Sequence, residues 1–425
     1  MKRDFRWAFL SILTVMLLMD SSAPYAAESV STRANSVVAT VPVGFGPAGI
    51  AFDSANGYLY VANEGGVPSY GEYRTSPGNT SVIDGRTNTV IASLQTGGGS
   101  REVVFDPLNG KVYVTGPHRI SIIEDTFHPL INNLTGFSNP SAIAVDTKSG
   151  NLYVAEYQSN RPTLSGSVVV LSGNDGATLA NLSITYAHAI AYDSFDGNAY
   201  VAGSGAGRGG ILVINCSTNT VIANVSGSAA TSDGAVTAIA FDPVNREMYA
   251  ALEEPDAPGI VEEVDPSTNT VTSSVTVGYS PSAIAIDASN GDIFVANTYS
   301  SSVSVINGST NSLIANVPVD GGPGGVAYDS ANGDVYVTNF DGNDVSVIST
   351  SSPQGTATSL KAESISTEMP PTTIALPRWA RPGTTFTYDT ISSAGTIYSQ
   401  SSALVRFDPA SQQDQYEPTT FAFFP

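Results

Sequence analysis

The side chains that could carry out chemistry in this sequence are few and lie far apart. Arg101, His188 and Glu156 are the candidates for an active site. An imidazole and a carboxylate together can perform general acid–base catalysis, and a guanidinium can hold an anion. Such a site requires the three side chains to meet in one pocket. Cys216, the single cysteine, has no base near it in the sequence, which favours a bystander over a nucleophile.

Candidate metal ligands follow no recognised pattern. The histidines lie in different segments without ligand spacing: His118, His128 and His188. Loop carboxylates could hold Ca²⁺, which takes hard oxygen ligands, although neither acidic run matches an EF-hand loop. The two runs are Glu253, Glu254 and Asp256, and Asp341 and Asp344. We interpret these as turn residues that satisfy local backbone groups. We therefore predict no cofactor and keep calcium as the alternative.

The elements that must position these residues are repeated units. Residues 321–348 contain one complete repeat, in which an apolar-Asp step is followed by a Gly-containing turn and a β-rich run. The step recurs at intervals of about 40 to 53 residues, a period that suits a four-stranded propeller blade. The seven Asp residues are Asp53, Asp106, Asp146, Asp193, Asp242, Asp287 and Asp329. The sequence therefore predicts an all-β fold, a seven-bladed β-propeller.

The local signals within each repeat agree with this fold. The turn after the Asp reads Asn-Gly, Ser-Gly or Asp-Gly in six repeats, which places Gly where a tight hairpin needs a positive φ angle. Only Asn245-Arg246 departs. The second strands, such as residues 59–62, are continuous in apolar and β-branched residues. This pattern is typical of a sheet that neighbouring blades cover on both faces.

These second strands carry a family resemblance. Tyr336-Val337-Thr338-Asn339 is the tetrapeptide that names the YVTN repeat, and residues 60–63 and 294–297 are near variants. Residues 36–349 thus resemble the YVTN-repeat β-propellers of archaeal surface layers and the bacterial periplasm. The resemblance implies the fold, whereas activity differs widely within such families. The second, fourth and fifth repeats depart from the signature, at Gly116, Gly203 and Leu252.

The segment before the first repeat predicts how the ring closes. Residues 36–44 copy the outer strand of the sixth repeat, residues 312–319, whereas the seventh repeat ends without an outer strand. We expect the N-terminal strand to complete the last blade, which leaves no open interface. Pro42 and Pro318 fit an edge strand, because proline has no N–H to donate.

We call the loop face the side that carries the starts of the inner strands and the connections between second and third strands. Ligands of propellers usually bind there, and long loops are often functional. The longest connections are residues 64–79 and 156–167. Their candidate binding residues are Tyr70, Tyr73, Arg74, Tyr157 and Arg161. A solvated insertion is the alternative.

The residue five positions before each Asp is predicted to line the mouth of the central channel. These residues are Ala48, Arg101, Ser141, His188, Thr237, Ser282 and Gly324. Arg101 and His188 stand out among small side chains and are further binding candidates, and Glu102 adjoins them. Glu156 occupies the place of Asn63 in its repeat and is expected near the same rim.

The ends of the chain predict export and a separate C-terminal region. Residues 1–27 combine a basic start, a short apolar core and a small-residue segment, as in a signal peptide. The alternative is an uncleaved anchor; no later stretch could cross a bilayer. Residues 350–371 form a Ser/Thr/Pro-rich linker, and residues 372–425 contain short β-like runs that suit a small or partly disordered module.

The composition limits the classes of partner that the protein can bind. The formal net charge is −21, with 17 basic residues, and such a surface repels phosphate backbones, which excludes nucleic acid. We predict a secreted, periplasmic or cell-surface protein that acts as a non-catalytic scaffold and binds a protein or glycan at the loop face. The alternative is a propeller enzyme, lactonase- or lyase-like, with His188 and a carboxylate at the channel mouth.

Overall fold

The structure is a computed structural model that describes residues 35–66, 77–124, 132–158, 165–204, 210–226, 235–350, 385–391 and 397–404. Seven four-stranded antiparallel sheets follow one another along the chain and form the seven blades of a β-propeller. The predicted fold class is therefore confirmed. The described residues before position 357 form one compact unit, and those after it form another.

The first three blades each contain four consecutive strands. The first holds β2 (Pro47–Asp53), β3 (Tyr58–Asn63), β4 (Asn79–Asp84) and β5 (Thr89–Leu94). The second holds β6 (Val103–Asp106), β7 (Lys111–Gly116), β8 (Arg119–Ile123) and β9 (Asn132–Thr135). The third holds β10 (Pro140–Val145), β11 (Leu152–Gln158), β12 (Ser165–Leu171) and β13 (Thr178–Ser183).

The next three blades have the same order. The fourth holds β14 (Thr185–Asp193), β15 (Asn198–Ser204), β16 (Ile211–Asn215) and β17 (Thr220–Asn224). The fifth holds β18 (Ala235–Phe241), β19 (Met248–Glu254), β20 (Ala257–Asp265) and β21 (Thr270–Thr276). The sixth holds β22 (Pro281–Asp287), β23 (Asp292–Asn297), β24 (Ser302–Asn307) and β25 (Ser312–Pro318), with a 3₁₀ turn at Thr298–Ser300.

The N-terminal strand closes the ring, as predicted. The last blade contains β26 (Pro323–Tyr328), β27 (Asp334–Asn339) and β28 (Asp344–Ser349), and its outer strand is β1 (Ser36–Pro42). β1 pairs antiparallel with β28, from Ser36 opposite Ser349 to Pro42 opposite Asp344. Six of the seven sheets thus consist of consecutive strands, whereas the seventh combines the first strand of the propeller with its last three.

The hydrophobic core lies between the blades. β23 is buried along its whole length, and so are five of the six residues of β3. The cluster at the closure joins Val41 of β1, Val61 of the first blade and Val345 of the last. Each second strand thus packs on both faces, which is the reason for its continuous apolar sequence.

Each repeat Asp organises the turn between its first two strands. The Asp is buried in all seven blades, and its Oδ1 accepts the N–H of the residue two positions on. The distances are 2.7 to 2.9 Å, at Ala55, Leu108, Lys148, Phe195, Val244, Ser289 and Ala331. The apolar-Asp step is therefore a structural signature of the turn.

Arg246 takes the left-handed conformation that glycine takes in the other turns. Its φ is +67°, compared with +80° for Gly333. A side chain in this region costs about 1 kcal/mol. The Arg246 guanidinium lies 3.9 Å from the centre of the Phe195 ring of the preceding blade, and this cation–π contact offsets part of the strain.

In the second unit, β29 (Thr385–Ile391) and β30 (Ile397–Leu404) form an antiparallel hairpin. Among the residues that the structure describes, no helix has the length and apolar character that a membrane span requires.

Candidate functional site

The predicted channel-mouth residues join the inner strands to one another. From blade to blade, a side chain or N–H of the first or second strand meets a backbone oxygen at the inner strand of the next blade. The pairs are Ser141 with Ala187, His188 with Val236, Thr237 with Pro281, Ser282 with Gly324, Thr338 with Ala48, and Gly49 with Arg101. The side chains of Ser141, His188, Thr237 and Ser282 therefore stabilise the ring, which is a sufficient reason for their polarity. Ala48, Arg101 and Gly324 take part only through their backbone oxygens.

His188 makes one of these contacts between inner strands. Its Nδ1 lies 2.5 Å from the carbonyl oxygen of Tyr186, and its Nε2 contacts the carbonyl oxygen of Val236 in the next blade. Because both ring nitrogens face carbonyl acceptors, His188 bridges two strands and presents no free nitrogen to the channel.

Glu156 takes the structural role of the repeat Asn. Its Oε1 accepts the N–H of Ser138 at 2.9 Å, and its Oε2 accepts from Ser167 Oγ at 3.3 Å. In the sixth blade, Asn297 Oδ1 accepts the N–H of Gly278 in the same way, at 3.1 Å. Glu156 is 6% exposed and lines a cleft of about 390 Å³ between the second and third blades.

Arg101 extends from the loop face and pairs with Glu64. The Nε to Oε1 distance is 3.3 Å, and the arginine side chain is 54% exposed. Arg101, His188 and Glu156 therefore have separate partners, and none of their hydrogen bonds or ion pairs joins two of the three. Because no contact joins the three side chains, a catalytic role for them stays a prediction.

The other predicted binding residues fall outside what the structure describes. Tyr70, Tyr73, Arg74 and Arg161 belong to undescribed segments, and Tyr157 is described for its backbone alone, in β11. In the described ranges, no three His, Cys, Asp or Glu side chains are grouped as metal ligands.

Burial perturbs two carboxyl groups that lack a basic partner. The pKa of Glu102, next to Arg101 at the start of the second inner strand, is raised to about 7 because the surrounding protein excludes water. The pKa of Glu247 is also raised to about 7, first by burial and then by the neighbouring carboxylates Glu263 and Asp265. Ring positions equivalent to Glu102 hold only Gly or Ala, such as Gly49 and Ala142.

The described part of the loop face carries a patch that the sequence did not predict. Four aromatic side chains are exposed there, and we call them the aromatic patch. They are Phe45 (53% exposed), Tyr279 (49%), Tyr299 (80%) and Phe340 (39%). Phe45 precedes the first blade, the two tyrosines belong to connections of the sixth blade, and Phe340 follows the second strand of the last blade.

Contacts between the loops group these residues in two pairs, Tyr279 with Tyr299 and Phe45 with Phe340. The N–H of Tyr299 donates to the carbonyl oxygen of Tyr279 at 3.2 Å. Thr298 Oγ1 donates to Pro323 O at 2.8 Å, which ties this pair to the last blade. The Phe340 ring covers Gly46, whose absent Cβ would lie 3.0 Å from Phe340 Cε2. The patch therefore spans consecutive blades across the closure.

Comparison of the sequence with known proteins identifies no family. No protein-family model matches the sequence, and no curated protein matches it. Membership of the YVTN-repeat family therefore stays a prediction.

Solved structures do match. Hydrazine synthase of Kuenenia stuttgartiensis has a TM-score of 0.60 and 14% identity, over 72% of this chain and 95% of that one. The β-propeller domain of Myceliophteria thermophila Cps50 (Swd1) has a TM-score of 0.57 and 9% identity, over 74% and 98%. At such low identity these likenesses show only that the chain has the architecture of a β-propeller.

Proposed function

We propose that this protein is an exported β-propeller that acts as a non-catalytic binding scaffold, and that its protein or glycan partner docks on the loop face. The observation that carries the proposal is the aromatic patch. Tyr299 alone exposes 80% of its surface, in a fold that buries the aromatic residues of its second strands, such as Tyr60, Tyr113 and Phe294, almost completely.

Exposed aromatic groups that lie together favour binding. Contiguous apolar surface on a soluble protein marks interaction sites more often than chance, and tyrosine supplies large contact area with little loss of conformational entropy. The phenol groups of Tyr279 and Tyr299 also offer hydrogen bonds to the polar groups of a protein or a sugar. The Arg101–Glu64 pair lies at the same face, beside the first blade, and adds polar groups at the edge.

The non-catalytic part of the proposal rests on the contacts of the candidate catalysts. His188 bridges two inner strands, and Glu156 holds the backbone of Ser138. A general base needs a free lone pair directed at a substrate, whereas the ring nitrogens of His188 face carbonyl acceptors and the Glu156 oxygens accept from protein donors.

The export part rests on the sequence. The basic residues Lys2, Arg3 and Arg6 precede an apolar core, which is the composition of a signal peptide. The mass of the mature protein recovered from an exporting host is the test. Loss of about the first 27 residues supports cleavage, and recovery of the intact chain from the cytosol contradicts export.

The binding test compares two surfaces of the same protein. Phe45→Ala with Tyr299→Ala removes the two most exposed members of the aromatic patch. Leu108→Ala is the matched control, because Leu108 is 56% exposed but lies at a turn between first and second strands, on the opposite face. Binding is measured on immobilised envelope polysaccharides and envelope proteins.

We expect the double variant to lose at least ~10-fold in affinity for the partner that the wild type binds, since buried aromatic anchors carry much of the energy of an interface. The control is expected to bind as the wild type does. Equal binding by all three proteins, or an equal loss in the control, would contradict a partner site at the aromatic patch.

A further inference from the structure

A chain of hydrogen-bonded side chains crosses one face of several blades. In the sixth blade, Asn297 Nδ2 donates to Ser304 Oγ at 3.0 Å, and Ser304 Oγ donates to Asn316 Oδ1 at 2.8 Å. The first blade begins in the same way, because Asn63 Nδ2 donates to Ser81 Oγ at 3.0 Å. The serine of the third strand is thus the centre of a polar chain that starts on the second strand and ends on the outer strand.

The third blade has the two ends of this polar chain without its centre. Its second strand carries Glu156 and its outer strand carries Asn181, but the residue between them is Val169. Val169 pairs with Asn181 as Ser304 pairs with Asn316 in the sixth blade. Because valine has no hydroxyl group, the exposed side chain of Asn181 makes no hydrogen bond to any described residue.

Glu156 has acceptor sites that the protein does not use. Its Oε1 accepts the N–H of Ser138 at 2.9 Å, and its Oε2 accepts from Ser167 Oγ at 3.3 Å. A carboxylate has about four acceptor sites. About two therefore remain, on a charged side chain that is only 6% exposed.

The cleft between the second and third blades lies along this interrupted chain. Its volume of about 390 Å³ falls within the range of small-molecule sites, about 300–1,000 Å³. Val169 packs in a cluster with Ile122 of the second blade, so the face that carries Glu156 and Asn181 is directed at that blade. The lining combines polar with apolar side chains, among them Thr178, Asn181 and Glu156, and Leu134, Phe137 and Val169.

The connection ahead of the third inner strand leaves space at one end of the cleft. In the first blade, a Cβ on Gly44 would lie 2.7 Å from Asn63 Cγ, so the corresponding connection packs against the repeat Asn. A Cβ on Gly136, which lines the cleft, would meet no atom within 4 Å. Three residues separate Gly136 from Pro140, whereas two separate Gly44 from Pro47.

We propose that this cleft binds a sugar residue, whose hydroxyl groups take the place of the missing serine between Glu156 and Asn181. A hydroxyl group both donates and accepts, so it satisfies the free acceptor sites of Glu156 and the amide of Asn181 together. The ring carbons contact Val169 and the other apolar residues of the lining. Apolar walls with a few placed polar groups are the usual composition of a small-molecule site.

The charge of Glu156 limits the class of sugar. A sugar acid would bring a second negative charge to a nearly buried carboxylate, which is unfavourable. A purely apolar ligand would leave the carboxylate and the Asn181 amide without partners. The site therefore fits a neutral or amino sugar.

The fourth blade provides the comparison. Asn224 is exposed opposite Leu212, as Asn181 is opposite Val169, but Gly203 occupies the place of Glu156. One end of the polar chain is thus present there without the carboxylate. This inference does not rest on the proposed partner, because the cleft lies outside the aromatic patch.

The test measures sugar binding to the whole protein by isothermal titration at millimolar sugar. The probes are glucose, galactose, mannose, N-acetylglucosamine and glucosamine, with glucuronate as the charged comparison. Asn181→Ala removes one end of the site. Val169→Ser restores the serine that the first and sixth blades have, so that the protein itself satisfies Asn181. Asn224→Ala is the matched control, and circular dichroism checks that each variant is folded.

We expect the wild type to bind at least one of the neutral or amino sugars, and glucuronate more weakly. Asn181→Ala and Val169→Ser are each expected to weaken this binding at least ~5-fold, because one hydrogen bond to the ligand is lost. Asn224→Ala is expected to bind as the wild type does.

Three results would overturn the proposal. They are a folded wild type that binds none of the sugars, wild-type affinity in both Asn181→Ala and Val169→Ser, and an equal loss of affinity in Asn224→Ala. Sugar binding that is lost only in the Phe45→Ala and Tyr299→Ala double variant would refute a site in the cleft and support the proposed function at the aromatic patch.

Discussion

The hydroxyl group of Tyr336 in the last blade lies 3.0 Å from the carbonyl oxygen of Gly85 in the first. The same hydroxyl lies 2.7 Å from Asn88 Oδ1. Tyr113 and Tyr249 reach the equivalent glycine carbonyls of their next blades, Gly173 and Gly308, at 3.4 Å. In these three blades the tyrosine of the repeat thus joins its blade to the next, and at Tyr336 this contact crosses the closure.

Tyr336→Phe is predicted to destabilise the propeller by about 1–2 kcal/mol, because the O–H shared between Gly85 O and Asn88 Oδ1 is lost and Asn332 Nδ2 loses the hydroxyl oxygen as an acceptor. The ring itself fits, since Phe294 occupies the equivalent position of the sixth blade and is fully buried. Urea unfolding followed by circular dichroism measures the change. Tyr299→Phe, at an exposed position, is the control and should leave the midpoint unchanged; a wild-type midpoint for Tyr336→Phe would exclude a stabilising role for this hydroxyl.

Deletion of residues 36–43 is predicted to abolish cooperative unfolding. The deletion removes β1, exposes the edge of β28 and uncovers Val345 and Val347, which are fully buried in the closed ring. Calorimetry compares this protein with one that lacks only residues 1–34. A single sharp transition at the same temperature in both proteins would show that the N-terminal strand is dispensable.

The closure of the ring and the number of blades were predictable because both depend on local sequence signals. The turn glycines require positive φ angles, the buried Asp positions recur with the repeat, and residues 36–44 copy an outer strand. Each of these signals depends on a few neighbouring residues, and repetition along the chain reinforces it.

The aromatic patch was not predictable for the opposite reason. Tyr279 and Phe340 lie in different repeats at positions that are not equivalent, and the sequence does not mark the backbone contacts that place them, Tyr299 N–H with Tyr279 O and Phe340 N–H with Gly322 O. The role of His188 was equally hidden. Its bridge to Val236 depends on the distance between neighbouring inner strands, which the sequence does not specify.

Stability is predicted to fall as the pH rises through neutrality, and Glu102 should account for part of the fall. Burial raises its pKa from 4.5 to about 7. A raised carboxyl pKa contributes stability that is fully present below about pH 4.5 and is lost as the pH rises through about 7, because the folded state then holds a buried charge. The expected contribution is about 2–3 kcal/mol between these limits.

Glu102→Gln tests this contribution. Between pH 5 and 8, the free energy of unfolding of the variant should change less than that of the wild type, by about 2–3 kcal/mol. Urea titrations of both proteins at the two pH values measure this difference. Some dependence should remain, since the pKa of Glu247 is also raised to about 7. Parallel pH profiles for the wild type and Glu102→Gln would contradict burial of an ionised Glu102.

Substitutions of Asp242 can test separately the two roles of the repeat Asp, which accepts a hydrogen bond in the turn and carries a buried charge. Its Oδ1 accepts the N–H of Val244 at 2.8 Å, whereas its Oδ2 is buried without a partner and lies 3.1 Å from the place that a Cβ on Gly291 would take. Asp242→Ala removes the turn acceptor and should lower stability by about 1–2 kcal/mol. Asp242→Asn keeps an acceptor for Val244 and removes the charge, so its loss should be smaller. Urea midpoints at pH 7 rank the three proteins, and an Asn variant as unstable as the Ala variant would mean that the charge, and not the hydrogen bond, holds the turn.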